Sequence, residues 1–396
     1  MSEWLIKSLD EVVEYFIDYR GKTPNKVGLG IPLITAKIVK NGRLLPATEF
    51  ILQEDYDDWM SRGYPEINDV ILTTEAPLGE VALLKNKNVA LAQRIITLRG
   101  YKNKLNNIFL KYWLQSDFGQ YELDSRASGT TVFGIKASVL KKIPIPVPPL
   151  PEQKAIASVL SSLDDKIDLL HRQNKTLESM AETLFRQWFV EEVQDDWEEV
   201  KVSHFVTLNK SSITKKYDHQ SILYLDTSSL TKGYISELKP LILSEAPSRA
   251  KRLVQHLDIL ISTVRPDQCH YGFCFKPEAN LVVSTGFCTI TCDTITPYFV
   301  YYLLTSEDMT EYLHSIAEGS TSTYPSLKPE DIGNVSFALP PKEKLNDYHN
   351  VVGAMWNKIN QNQKQIQTLE NLRDTLLPKL MSGEVRVNYT PEEIKQ

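Results

Sequence analysis

Apolar residues recur in alternating steps of four and three from Ile156 through Leu160, Leu163, Ile167, Leu170 and Leu177 to Leu184, with Asn174 and Ala181 filling the remaining places. Shifted by 192 residues, the same register picks out Tyr348, Val352, Met355, Ile359, Asn362, Ile366, Leu369, Arg373 and Leu376. Both are narrow a/d stripes, the pattern of a coiled-coil seam rather than of a broad core-facing helix. Each stripe follows a proline pair, Pro148-Pro149 and Pro340-Pro341. The first helix has Pro151, Glu152 and Gln153 at its start, a proline near N1 and an acidic residue in the first turn. Outside the stripes, short Val/Ile/Leu/Thr runs broken by Gly, Pro and Asn predict strands. One helix is predicted near FLKYWLQSDFGQYELDS and another near FVYYLLTSEDMTEYLHS.

The two stripes are the end of a longer series of matches. Trp4 answers Trp197, and IPLITAKIVKNG (31–42) answers ILYLDTSSLTKG (222–233). DVILTTEAPLG (69–79) matches DILISTVRPDQ (258–268), and FLKYWLQS (109–116) matches FVYYLLTS (299–306). RASGTTVFGIKASVLKKI (126–143) matches IAEGSTSTYPSLKPEDIG (316–333). The order is preserved throughout, so the chain is a single duplication. Each half is a mixed α/β globular part followed by a long helix. The fold class is therefore α+β, two similar mixed α/β parts joined by two long helices that form an antiparallel coiled coil with a pseudo-two-fold repeat. A lone a/d helix leaves its stripe in water, and burying one aliphatic side chain is worth roughly 1.5–3 kcal/mol, so two such helices in one chain pair. At 1.5 Å per residue they are roughly 55–60 Å long. Asn174 and Asn362 either fix the register of the seam or face outward near a turn.

Charge and composition narrow the function classes. The formal net charge is −6, which by itself disfavours a phosphate partner. The deficit is local, however: residues 151–195 carry 5 Lys+Arg against 9 Asp+Glu, whereas residues 1–150 carry 19 against 17. What matters for nucleic acid is one face and not a total. No uninterrupted apolar run of about 18 residues predicts a membrane span, and MSEWLIKSLDEVVEYF lacks the regions of a signal peptide. The cysteines, Cys269, Cys274, Cys288 and Cys292, read as reduced thiols of a cytoplasmic protein, and their spacing is not that of paired zinc ligands.

Enzyme motifs are missing. There is no phosphate loop, no dinucleotide-binding glycine pattern and no Asn-Pro-Pro-aromatic methyltransferase motif. Glu152 and Lys154 have the E-x-K spacing of metal-dependent nucleases, but they fall in the first turn of a helix, where an acidic residue has a structural use. No residue is assigned to catalysis or to a metal, and no cofactor is expected on this chain. Recognition residues are sought instead in polar turns that recur in both halves. The first half offers Arg20, Lys22 and Thr23, then Thr73 and Thr74, then Gln93 and Arg94, then Ser128, Gly129, Thr130 and Thr131. The second offers Lys210 and Ser211, then Ser262, Thr263 and Arg265, then Ser320, Thr321, Ser322, Thr323 and Tyr324. Hydroxyl and basic side chains bond phosphates, and Gln and Arg read adenine and guanine edges. Singly, each is also what a solvated turn looks like; the recurrence favours recognition.

Together these residues resemble the specificity (S) subunit of Type I restriction–modification systems over nearly the whole chain. The most specific stretches are PIPVPPLPEQKAIASVLSSLDDKIDLL, LFRQWFV (184–190) and TLLPKLMSGEVRV (375–387), with RGKTP (20–24) and ASGTTVFGIKASVLKKIPIPVPP in support. The second helix departs from the pattern with Lys342-Glu343-Lys344 at its start. The resemblance implies a target recognition domain at 1–147, a spacer helix at 148–190, a second recognition domain at 191–338, a second spacer helix at 339–384 and a tail at 385–396. It implies double-stranded DNA as a partner, read as a split target, with two methyltransferase subunits and motor–nuclease subunits docking on a non-catalytic chain. S-adenosylmethionine, ATP and magnesium would then belong to those partners. Three rivals stand beside it: a similar subunit of a methyltransferase-only system, a two-ended protein-binding scaffold without DNA, and a metal nuclease using Glu152.

Overall fold

The computed structural model describes residues 4–129, 133–320 and 324–387. The chain divides into two compact units, Met1–Leu169 with Gln365–Gln396, and Leu170–Lys364, so each unit takes a part of both long helices. Among the described residues, no helix is long and apolar enough to cross a membrane.

Unit 1 is built on a four-stranded antiparallel sheet in the order Val13–Asp18, Ile95–Gly100, Val70–Thr74, Leu78–Leu83. The run VILTT is buried along its whole length, as a central strand covered on both faces must be. Helices Asn107–Gln115 and Asp117–Ser125 lie against this sheet. Their caps are local: the Asn106 and Ser116 side chains accept from the N–H groups of Phe109 and Gly119. Leu5–Ser8 pairs with Pro144–Val147 and so brings the two ends of the lobe together. Between Asp18 and Val70 the chain adds Ile31–Ile34, flanked by Phe50–Ile51 and Ala90–Leu91, over a second apolar core.

Unit 2 repeats the frame. Val206–Leu208, Phe287–Cys292, Ile259–Ser262 and Tyr271–Phe273 form the four-stranded sheet in the matching order. Pro297–Thr305 and Glu307–Glu318 are the helix pair, and Glu199–Lys201 pairs with Ser336–Ala338. Even fine turns are kept: Asn41-Gly42 and Lys232-Gly233 both adopt positive φ, at +50° and +81°, and at +45° and +77°. The inserted sheets are where the halves part. Unit 2 carries five strands in the order Ser211–Ser212, Ala250–Leu253, Leu281–Ser284, Ser221–Leu225, Lys239–Ile242, against three in unit 1. The duplicated frame holds a different insert in each half.

The long helices run Leu150–Arg186 and Lys342–Ser382. In unit 1, Ile156, Ala157 and Leu160 share a core with Leu376, Leu377, Leu380 and Met381, and Asp164 takes a bond from Arg373. In unit 2, Asn362 Nδ2 donates to Asn174 Oδ1 at 2.8 Å and Tyr348 Oη donates to the Ala181 carbonyl at 3.1 Å. Within unit 2 the partner number falls as the first helix advances, so there the two segments run in opposite directions. Every position of both stripes is buried or half-buried. Asn174 and Asn362 face each other rather than solvent. Arg386 and Val387, assigned from sequence to a tail, pack on unit 1: Arg386 Nη1 lies 3.5 Å from Glu152 Oε1, and Val387 joins the core. Residues 388–396 lie outside the described residues.

Candidate nucleic-acid interface

In unit 1 four segments meet at the end of the central strand Val70–Thr74. The Thr74 N–H donates to the Arg94 carbonyl at 2.9 Å, and the Ile135 N–H donates to the Thr74 carbonyl at 3.0 Å. Arg20 Nη2 donates to the Ile135 carbonyl at 2.9 Å. Ser128 and Gly134 exchange backbone hydrogen bonds at 2.9 and 3.1 Å, closing the loop that carries the exposed Phe133. The result is a rim on which Arg94 is exposed, its Nε 3.2 Å from Glu75 Oε1. An arginine already held by a carboxylate loses less freedom when its fork meets a ligand. Nearby, Arg62 Nη1 donates to the carbonyls of Asp18 at 2.6 Å and Arg20 at 3.1 Å, fixing the turn that holds Arg20 and Lys22.

Unit 2 builds the same rim from different side chains. The Thr263 N–H donates to the Gly286 carbonyl at 2.9 Å, and the Leu327 N–H donates to the Thr263 carbonyl at 2.7 Å. Val264 bridges Ser326 as Glu75 bridges Gly134. Arg265 matches Ala76, with φ of +50° against +49°, and its N–H donates to the Pro325 carbonyl at 2.9 Å. The Arg265 guanidinium lies over the exposed Tyr324 ring, 4.6 Å from its centroid. A cation over an aromatic face offers a base both a hydrogen-bonding fork and a stacking surface.

The predicted residues divide accordingly. Arg20, Arg94, Ser128 and Gly129 are brought to the rim of unit 1, and Arg265, Ser320 and Tyr324 to that of unit 2. Gln93 is half-buried beside Arg94, and Lys22 and Thr23 are exposed on the adjoining turn, where Lys22 Nζ donates to Ser61 Oγ at 3.3 Å. Thr73, Thr74 and Ser262 lie inside the sheet, at most 2% exposed. Thr73 Oγ1 accepts from the Glu80 N–H, Ser262 Oγ donates to the Val264 carbonyl, and Thr263 Oγ1, half-buried, donates to the Gly286 carbonyl. These hydroxyls are engaged within their own units. Lys210 is placed elsewhere, tied at 3.5 Å to Asp293 beyond the far end of Phe287–Cys292, and Ser211 is an exposed edge residue paired with Leu253. Thr130, Thr131, Thr321, Ser322 and Thr323 lie outside the described residues.

Sequence reasoning passed over Arg62 and Phe133, which the contacts above bring to the rim or its supporting turn, and Arg249, whose place beside Gly286 depends on chain segments 37 residues apart. Glu75 stands directly after the two threonines, in the same candidate turn. Glu152 is not placed for metal chemistry. Its Oε2 accepts from Trp4 Nε1 at 3.2 Å while Oε1 lies beside Arg386. The four cysteines are unpaired thiols; burial pushes Cys288 and Cys292 up to about 12. Among the described residues, no group of three or more His, Cys, Asp or Glu could hold a metal ion.

Comparison with known proteins converges on one family. A family model for the Type I restriction modification DNA specificity domain matches residues 1–179. The Type I restriction enzyme MjaIX specificity subunit of Methanocaldococcus jannaschii is 27% identical over 97% of this chain and 94% of its own length. The HindI specificity subunit of Haemophilus influenzae is 26% identical over 46% of this chain and 40% of its own. The solved Type-I restriction-modification S subunit from M. genitalium shares the fold, with a TM-score of 0.59 at 17% identity, covering 98% of this chain and 97% of that one.

Proposed function

We propose that the chain is a specificity subunit of the Type I restriction–modification kind, which it resembles over nearly its whole length, and that it reads a split DNA target, one half-site per unit. The observation that carries this reading is the duplicated rim. At the same strand end in each half stands an exposed arginine, Arg94 in one and Arg265 in the other, beside a loop with an exposed aromatic ring. Arginine is the side chain best suited to a guanine edge, with about 1–3 kcal/mol of discrimination per bidentate pair. Different inserted sheets on one frame suit two half-sites of different sequence. In this reading the long helices pair as an antiparallel coiled coil whose length sets the gap between the half-sites.

The chain itself performs no chemistry in this reading. Two methyltransferase subunits dock on the helices and recognition domains, and motor–nuclease subunits join them in the cytoplasm. S-adenosylmethionine, ATP and magnesium belong to those partners. The acidic first helix suits protein docking better than phosphate contact, since phosphates attract positive charge.

Sequencing methylated bases in DNA from cells that express the chain with its methyltransferase tests the reading. A motif of two short elements with a fixed gap is expected, together with duplex binding that weakens steeply with salt. A short continuous motif, or binding without salt dependence, would reject it.

A further inference from the structure

Unit 2 has no arginine where unit 1 has Arg94; the matching residue is Gly286. The backbone frame is nonetheless the same, because the Gly286 carbonyl accepts the Thr263 N–H at 2.9 Å just as the Arg94 carbonyl accepts the Thr74 N–H. What differs is the space above the α-carbon. A Cβ built on Gly286 would lie 2.9 Å from Arg249 Nη2 and 2.9 Å from Thr227 Cγ2. The guanidinium of Arg249 therefore already fills the place into which a side chain at 286 would grow.

Arg249 arrives there from the inserted sheet. It directly precedes the strand Ala250–Leu253, and its carbonyl accepts the Thr285 N–H at 2.8 Å. Its backbone is thus pinned next to Gly286, while the residue itself is exposed. Arg265 stands two residues beyond Thr263, whose N–H and Oγ1 both bond the Gly286 carbonyl. Two guanidinium groups from different segments are brought to one short stretch of rim. Glycine at 286 is what admits the second, since any larger residue competes with it for the same volume.

Resting on the reading of unit 2 as a half-site reader, we propose that Arg249 is a specificity-determining residue of that half, delivering from the insert the guanidinium that Arg94 delivers from the frame in unit 1. Its target is a guanine edge, the base feature that a two-donor fork matches. Arg265 on Tyr324 then reads or stacks on a neighbouring base.

The test uses the full chain with its methyltransferase, reading methylated motifs by sequencing and relative affinity with duplexes substituted one base pair at a time. Arg249→Ala lowers discrimination at one G·C position of a single half-site by about tenfold to a hundredfold and leaves the other half-site as it is. Arg249→Lys, which keeps the charge and stem but loses the fork, acts at the same position and serves where the alanine variant fails to fold. Gly286→Ala removes no charge and presses on both the guanidinium and the Thr227 methyl, so it relaxes that position too, whereas Thr227→Ser, which leaves Arg249 in place, does not. Gly286→Arg combined with Arg249→Ala recreates the arrangement of unit 1 and restores a preference for guanine there. If the wild type methylates a split motif and all single variants keep it with undiminished discrimination, Arg249 is not a reader and the half-site assignment survives. If the wild type shows no split motif, the underlying reading fails instead.

Discussion

Trp4 donates its indole N–H to the Glu152 carboxylate at 3.2 Å, joining the N-terminal strand to the start of the first long helix inside unit 1. The duplication places Trp197 and Lys344 at the matching positions of unit 2. There Lys344 Nζ lies over the Trp197 ring, 5.3 Å from its centroid, and donates to Glu192 at 3.0 Å. Both junctions keep a tryptophan, an acid and a base, but their polarity is reversed: Glu152 with Arg386 in one, Lys344 with Glu192 in the other. The departure from Pro-Glu-Gln at the second helix start is thus a coordinated exchange of charge.

Glu152→Lys should destabilise unit 1 by about 3 kcal/mol or more, because it strands the Trp4 donor and sets a buried cation beside Arg386. Adding Arg386→Glu rebuilds the polarity of unit 2 and should recover part of the loss. Thermal unfolding of the full chain, comparing the single and double variants, measures both. Equal instability of the two would mean that the charge exchange is incidental.

A second asymmetry lies deeper. Asp164 accepts from Lys111 Nζ at 2.8 Å, Tyr112 Oη at 2.7 Å and Arg373 Nη1 at 3.1 Å, whereas the matching positions in unit 2 are Trp356, Tyr301, Tyr302 and Ala181. Burial pushes the Asp164 carboxyl up, but the Lys111 charge and the three donors outweigh it and hold it below the usual carboxylate range. The stabilisation is therefore complete above the unfolded value near about 3.9 and is lost as pH falls through the depressed folded value. Asp164→Asn should cost about 3–5 kcal/mol at neutral pH by leaving Lys111 buried and unpaired. The gap between variant and wild type should narrow below about pH 4, as chemical denaturation across pH would show.

In the seam of unit 2, Asn362 is fully buried and its Oδ1 has no hydrogen-bond partner among the described residues. Replacing Asn174 and Asn362 together with leucine should raise stability by roughly 1–3 kcal/mol, since a partly satisfied polar pair is exchanged for aliphatic contact. The accompanying loss should be in register, seen as extra cysteine cross-links between positions that are out of step. A leucine pair that destabilises would overturn this account of the seam.

Arg94→Ala should relax one position of the first half-site by about 1–3 kcal/mol. Thr74→Ala should leave the recognised sequence unchanged, because that side chain is buried in the sheet. Methylated-base sequencing of the two variants separates reading from support.

The duplication was legible because its punctuation is local: proline pairs, seam spacing and DVILTT against DILIST are visible within a dozen residues. The helix pairing followed from burial alone. The burial of Thr73, Thr74 and Ser262 was not legible, because a hydroxyl at the end of an apolar run looks the same whether the strand stops at the surface or inside. Arg249 was illegible for a different reason: its role depends on an absent side chain at Gly286. The inserted sheets escaped as well, since strands of two to five residues leave little period to read.

On the proposed reading, the length of the helix pair sets the gap between two independently read half-sites. Inserting four residues into both helices, after Leu169 and after Lys364, adds about 6 Å, close to two base pairs at about 3.4 Å each. Sequencing methylated bases made by this variant with its methyltransferase should show both half-sites unchanged and the gap longer by about two. An unchanged gap, or altered half-sites, would contradict it.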